Sequence, residues 1–287
     1  MKKFLLITIP LVMLVAACAL CTVCFASALS GKRAIKGSSH IVTKEIPIPE
    51  FDAISVSRAI QVILTEQGDQ IRIDANDNLM EWVVVQAEAR KLRITIDPEI
   101  KQVRNMKVTV TVPVGNRTLR LLEASSAAEI QGKEVEIKTS ALQVKASSAA
   151  EIQTSVKAQS CEIDASSAAT VKATVKAATC DIDASSAATV RAEVQAQSCS
   201  ADASSAADIG LKGGTIQFEG SSSSAGKIHA AELVSTRAEV QASSGSSISV
   251  NCTEQLKAQA SSGASVRYTG DCKVEASKTS GGSIRQK

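Results

Sequence analysis

One short motif returns along the second half of the chain at a nearly constant interval. Ala-Ser-Ser-Ala-Ala begins at residues 124, 146, 165, 184 and 203, and looser copies (GSSSSAG, ASSGSSI, ASSGASV and ASKTSGGSI) begin at 220, 242, 260 and 276. The steps between starts are 22, 19, 19, 19, 17, 22, 18 and 16 residues. A fixed period of this length specifies a solenoid, in which each repeat buries its apolar face only against its neighbours.

The residues within one repeat identify the type of solenoid. In CEIDASSAATVKATVKAAT, residues 161–179, Cys161, Ile163 and Ala165 alternate with Glu162 and Asp164. Beyond the Ser-Ser-Ala-Ala corner, Val171, Ala173, Val175 and Ala177 alternate with Lys172, Thr174 and Lys176. Alternation with period 2 on both sides of a corner means two short strands per coil, each with one buried face. Strands of a 19-residue turn pair with their equivalents in the next turn, in parallel and in register. The sequence therefore predicts an all-β chain, a right-handed parallel β-helix with coils of about 19 residues.

Aligning the copies gives inward columns. Four residues before each motif, from the second copy on, stand Leu142, Cys161, Cys180, Cys199, Ile216, Ala238, Leu256 and Cys272. Two before stand only apolar residues, Phe218 and Val274 among them. The positions between vary among Lys, Glu, Asp, Gln, Thr and Ser and are expected to face water.

The rest of the chain divides by composition. Residues 1–28 begin with Lys2 and Lys3 and continue as a long apolar run, the pattern of an export signal. Three endings compete: cleavage after Ala26-Ser27-Ala28, lipidation of Cys18 at a Val15-Ala16-Ala17-Cys18 lipobox, or an uncleaved span over 4–29. Each implies export, with the membrane reached only through the signal anchor or a lipid. Residues 29–43 read as a tether, 44–123 as an N-terminal β-rich cap or irregular coils, and 124–287 as the regular solenoid. The formal charge of +3 falls to +1 without Lys2 and Lys3, which leaves no basic field for nucleic acid.

The cap sequence FDAISVSRAIQVILTEQGDQIRIDANDNLMEWV, followed by KLRITI, KVTVTVPV and serial ASSAAEI or SSGASV corners, resembles the putative auto-transporter adhesin, head GIN domain family of exported Bacteroidota proteins. The likeness runs from about residue 51 to the C-terminus. It implies a β-helical fold and a place in the envelope of a Gram-negative bacterium (periplasm, outer membrane or cell surface). It supplies no catalytic residues.

Several side chains invite chemistry and receive a plainer reading. Cys161, Cys180, Cys199 and Cys272 alternate with Leu, Ile and Ala in one inward column, the behaviour of small buried hydrophobes, with a bridge between stacked neighbours as the rival. Glu162, Asp164, Asp181, Asp183 and Asp202 form an outward acidic strip, a weak Ca²⁺ candidate read first as a solvated face. Ser125, Ser147, Ser166, Ser185 and Ser204 are expected to form a hydroxyl ladder that bonds turn backbone from coil to coil. No nucleophile elbow is present, and the chain has two histidines, His40 and His229. No cofactor is expected. The reading is an exported, non-enzymatic binding or structural module for glycan or protein partners, with a polysaccharide lyase or hydrolase as the alternative. Self-association through the open end of the solenoid is a further expectation, opposed there by Lys278, Arg285 and Lys287.

Overall fold

The computed structural model describes residues 33–115 and 117–287. The export signal, its three candidate endings and Cys18 lie outside the described residues. From Ala53 onward the chain winds as a parallel β-solenoid of about nine turns with coils of about 19 residues. Neighbouring coils pair in register, as Cys161↔Cys180, Ile163↔Ile182 and Ala165↔Ala184 illustrate. Most central coils are one continuous strand, such as Thr170–Ala184 and Thr189–Ala203. Each runs from one tight corner, around a gentler bend, to the next tight corner.

The tight corners explain the motif. The second Ser and the following Ala both take left-handed backbone, for example Ser148 at φ 52° and Ala149 at φ 61°. The first Ser accepts from the N–H three residues on, as Ala150 N to Ser147 O at 3.2 Å. Two consecutive residues at positive φ make this a type I′ turn. Small side chains suit it, and Gly245, Gly263 and Gly281 occupy the second of these positions in later coils. The flanking alanines, such as Ala146 and Ala150, point inward and are buried.

The expected serine hydroxyl ladder is replaced by a main-chain one. Ala127 N donates to Ser148 O, Ala149 N to Ser167 O and Ala168 N to Ser186 O, each within 2.9–3.0 Å. Ser147 N donates to Ala124 O in the same way. Hydroxyls bond main chain at the opposite bend, where Thr215 Oγ1 donates to Gln217 O and Ser235 Oγ to Asn251 O, and at one later corner, where Ser246 Oγ donates to Ser222 O. The left-handed turn already directs its own N–H groups along the stacking axis, so the corner serines are not needed for that task.

Two column assignments are corrected. Cys199 pairs with Phe218 rather than Ile216, and Leu256 pairs with Val274 rather than Cys272. Phe218 is fully buried while Ile216 is 51% exposed. At the gentle bend two successive residues, Ile216 and Gln217, face outward, so the period of 2 slips by one there. The corner assigned to residues 220–226 accordingly turns at Ser223-Ser224-Ala225-Gly226, and the last at Thr279-Ser280-Gly281-Gly282.

The N-terminal region is part of the solenoid and also closes it. Ala53–Val56 lies between two parallel neighbours, Lys91–Ile96 on one side and Leu121–Ala124 on the other. The chain thus makes an inner coil, steps outward for the next pass, and returns over the first. Ser57-Arg58-Ala59 is an additional corner, with φ 64° at Arg58 and 56° at Ala59. Val83–Glu88 and Gln70–Asn76 run antiparallel to the outermost pass, and Ile41–Pro47 runs antiparallel to Gln70–Asn76. Covering the first coil in this way removes an open edge that would template further pairing.

Residues 29–43, expected as a tether, are strand over most of their described length. Arg33–Lys36 pairs with Ile100–Arg104, and Ile41 begins the outer cap strand. Asn76, fully buried, donates to Ser38 O at 2.6 Å and accepts from Lys107 N at 2.7 Å. That clamp satisfies backbone groups no solvated tether would bury.

Candidate functional site

The strand after each tight corner presents two outward columns with a shallow trough between them. One wall is the registered series Lys172, Arg191, Gly210, His229, Ser249 and Arg267. The other carries Thr174, Glu193, Lys212 and Glu232. Buried residues of the strands themselves, Thr154, Ala173, Ala192 and Leu211, form the floor. The groove encloses about 860 Å³ and is lined coil by coil from Lys133 to Lys287. Strand spacing of about 4.8 Å makes it roughly 35–40 Å long.

Local ion pairs hold the walls. Lys172 Nζ is 2.9 Å from Glu151, and this hydrogen bond keeps the Glu151 carboxyl below its ordinary value. Lys212 Nζ is 2.9 Å from Glu193, which keeps the Lys212 ammonium charged above its usual range. Arg191 reaches across Gly210 to the Asp208 carboxylate at 2.9 Å, and His229 approaches the same carboxylate from the other side at 3.8 Å. A Cβ on Gly210 would come within 2.8 Å of the Arg191 side chain, so glycine is what lets the guanidinium lie flat there. Among the described residues Arg267 and Lys287 make no ion pair, whereas Lys172, Arg191 and Lys212 are each paired with a carboxylate.

The acidic strip lies on the other side of the tight corners. Asp164, Asp183 and Asp202 stack in register, with Glu162 and Asp181 in the adjoining outward column. Lys145 approaches Asp164 at 3.4 Å, and Ser200 donates to Asp181 at 2.7 Å. Asp183, in the middle, is pushed above the ordinary carboxyl value by partial burial, then by the charges of Asp164 and Asp202. No group of three His, Cys, Asp or Glu among the described residues is arranged to hold a metal ion.

Cys161, Cys180 and Cys199 are buried and stack in register on adjacent coils. The neighbouring Cys180 thiol and then burial push the Cys161 thiol well above its ordinary range, which makes it inert. Cys272 stands apart from these three, beside Cys252. The groove leaves little trace in the sequence because its residues vary from coil to coil. Its one sequence signal is Lys172, Arg191 and Arg267 recurring at the same distance after the corner.

A family model described as "Putative auto-transporter adhesin, head GIN domain" matches residues 50–193 and 166–272. No curated protein matches the chain. Among solved structures, a putative adhesin from Parabacteroides merdae is 18% identical, with 88% of this chain and 99% of that one covered and a TM-score of 0.69. A putative adhesin from Parabacteroides distasonis is 19% identical, with 89% and 100% covered and a TM-score of 0.66. A structure described as a putative lipid binding protein, also from Parabacteroides distasonis, is 20% identical with 89% and 100% covered and a TM-score of 0.63. At these identities the likeness is one of fold.

Proposed function

Because the chain belongs to the putative auto-transporter adhesin, head GIN domain family, we propose that it is an exported, non-enzymatic module of the cell envelope that binds an acidic glycan strand along the groove. The observation that carries this reading is the continuous trough from Lys133 to Lys287, with Lys172, Arg191, Lys212 and Arg267 repeating along it. An extended polyanion matches its length and charge, and each coil adds a similar small contribution. Four aromatic residues in the described chain favour recognition by charge and hydrogen bonds over stacking on sugar rings. A charged rim over a narrow floor of Thr154, Ala173, Ala192 and Leu211 favours a polar chain over the acyl chain of a lipid.

Binding rather than cleavage is supported by the layout of charge. Glycoside cleavage sets two carboxyl groups about one bond. The stacked aspartates here lie before the tight corners, outside the groove, and within it Glu193 and Glu232 stand two coils apart with Lys212 between them. The apolar run at residues 4–29 behind Lys2 and Lys3 supports export.

Calorimetry with a uronic acid polysaccharide and an uncharged one tests the reading. The acidic polymer should bind, weaken as salt rises, and lose about tenfold or more in affinity with the pair Lys172→Glu and Arg191→Glu. Equal affinity for wild type and this variant, or release of shortened glycan products, overturns it. Preference for a protein ligand over both polysaccharides also overturns it.

A further inference from the structure

Among the described residues, the last strands of the solenoid pair with a coil on one side. Lys273–Lys278 pairs only with Ser247–Ala260, and Ser283–Gln286 only with Ser265–Thr269. Five of the six residues in Lys273–Lys278 are exposed. This end is the part of the rod most prone to open.

Two cysteines meet there. Asn251 pairs with Thr269, and Gln255 pairs with Lys273. Three residues of each coil lie between those pairs: Cys252, Thr253 and Glu254 in one, and Gly270, Asp271 and Cys272 in the next. Cys252 is therefore first in its bend and Cys272 last, a stagger that sets them apart from the in-register thiols of Cys161, Cys180 and Cys199. In-register side chains on parallel strands point the same way, which suits the roughly 90° dihedral of a disulfide poorly. The two thiols interact across the bend, and Cys252 donates its S–H to Gln255 O at 3.0 Å. Cys252 is buried and Cys272 is partly open to solvent, so one sulfur is accessible and the other lies behind it.

We propose that Cys252 and Cys272 are the site of disulfide formation in this protein and that the bond fastens the terminal coil to the coil before it. The oxidant is a small disulfide donor or an oxidoreductase carrying one. The Cys272 thiolate attacks a donor sulfur and releases the first donor thiolate. Cys252, as thiolate, then attacks the Cys272 sulfur of the mixed disulfide and releases the second. The two cysteines lose two protons and two electrons, and the donor disulfide becomes two thiols. Burial, and then neighbouring Cys252, hold the Cys272 thiol above its ordinary value. The first step therefore quickens as pH rises.

The purified protein is incubated with oxidised glutathione, trapped with an alkylating reagent and mapped by peptide mass spectrometry. The expected product links Cys252 to Cys272, with Cys161, Cys180 and Cys199 alkylated only after denaturation. Amide exchange in residues 273–278 should slow about tenfold on oxidation. Cys272→Ser, at the more exposed position, should keep the fold and abolish both changes. A stable glutathione adduct on Cys272 with Cys252 free overturns the proposal, as does a link within Cys161, Cys180 and Cys199. A link between two copies, or Cys252 and Cys272 both left free in a protein that exchanges freely when unfolded, also overturns it.

Discussion

Phe218 sits in register on Cys199, fully buried, and continues the inward column of Leu142, Cys161 and Cys180. It is the largest fully buried side chain in the described chain. One ring follows three thiols in a core built mainly of Ala, Val, Ile and Leu. Gly220, next on the same inward face, lies within 3.1 Å of the ring by its would-be Cβ, so the space is already shared.

Phe218→Ala should therefore cost about 3–5 kcal/mol. Ile216→Ser, two residues away and facing water, should stay within about 0.5 kcal/mol of wild type. Urea unfolding of both variants checks the register directly. Equal losses would place both side chains in the core.

Ala149 should prefer glycine. Left-handed backbone costs a residue with a Cβ about 1–2 kcal/mol, and glycine gives back about 0.5–1 kcal/mol through its freer unfolded chain. Ala149→Gly should thus stabilise by less than about 1 kcal/mol. Ala150→Gly, one residue on, removes a buried methyl at ordinary backbone and should destabilise. Thermal melts of the two variants should move in opposite directions.

The acidic strip should make stability depend on pH with a definite sign. Folding raises the Asp183 carboxyl above its unfolded value, so its contribution is most favourable below the unfolded value of about 3.9 and is lost as pH rises through the folded one. Asp183→Asn removes that cost. It should melt higher than wild type near neutral pH, with the gain shrinking to nothing as pH falls below about 3.5. A gain that persists in acid would mean that packing, not charge, is responsible.

Asn76 holds the N-terminal strands to the cap through two hydrogen bonds to main chain. Asn76→Ala leaves Ser38 O and Lys107 N without these partners and should cost about 1–3 kcal/mol. Amide exchange should show residues 33–47 loosening first, while the central coils stay protected. Uniform loosening of the whole rod would contradict this local role.

The central coils were legible because each inward position of Ile163, Ile182 and Ala201 recurs at a constant step. Where the step varied, alternation alone was ambiguous. Ile216, Phe218 and Gly220 share one parity, so a shift of two residues preserved the pattern while moving the corner. The corner at Ser57-Arg58-Ala59 went unseen because Arg58 and Ile60 replace small residues. Cys272 was misplaced because the final corner, Thr279-Ser280-Gly281-Gly282, lacks the Ala-Ser-Ser pattern used to align it.

Sequence alone determined the solenoid, its coil length and the identity of its repeating corner. Those follow from period-2 burial and from a fixed count of residues per turn, both local properties. Tertiary structure decided how the corner works, placing Ser148 and Ala149 in left-handed backbone whose own N–H and C=O groups join the coils. It also decided which variable side chains share a trough and which two cysteines meet. Those relationships lie between coils, and they depend on bends where two residues in succession face outward, a slip that no regular alternation records.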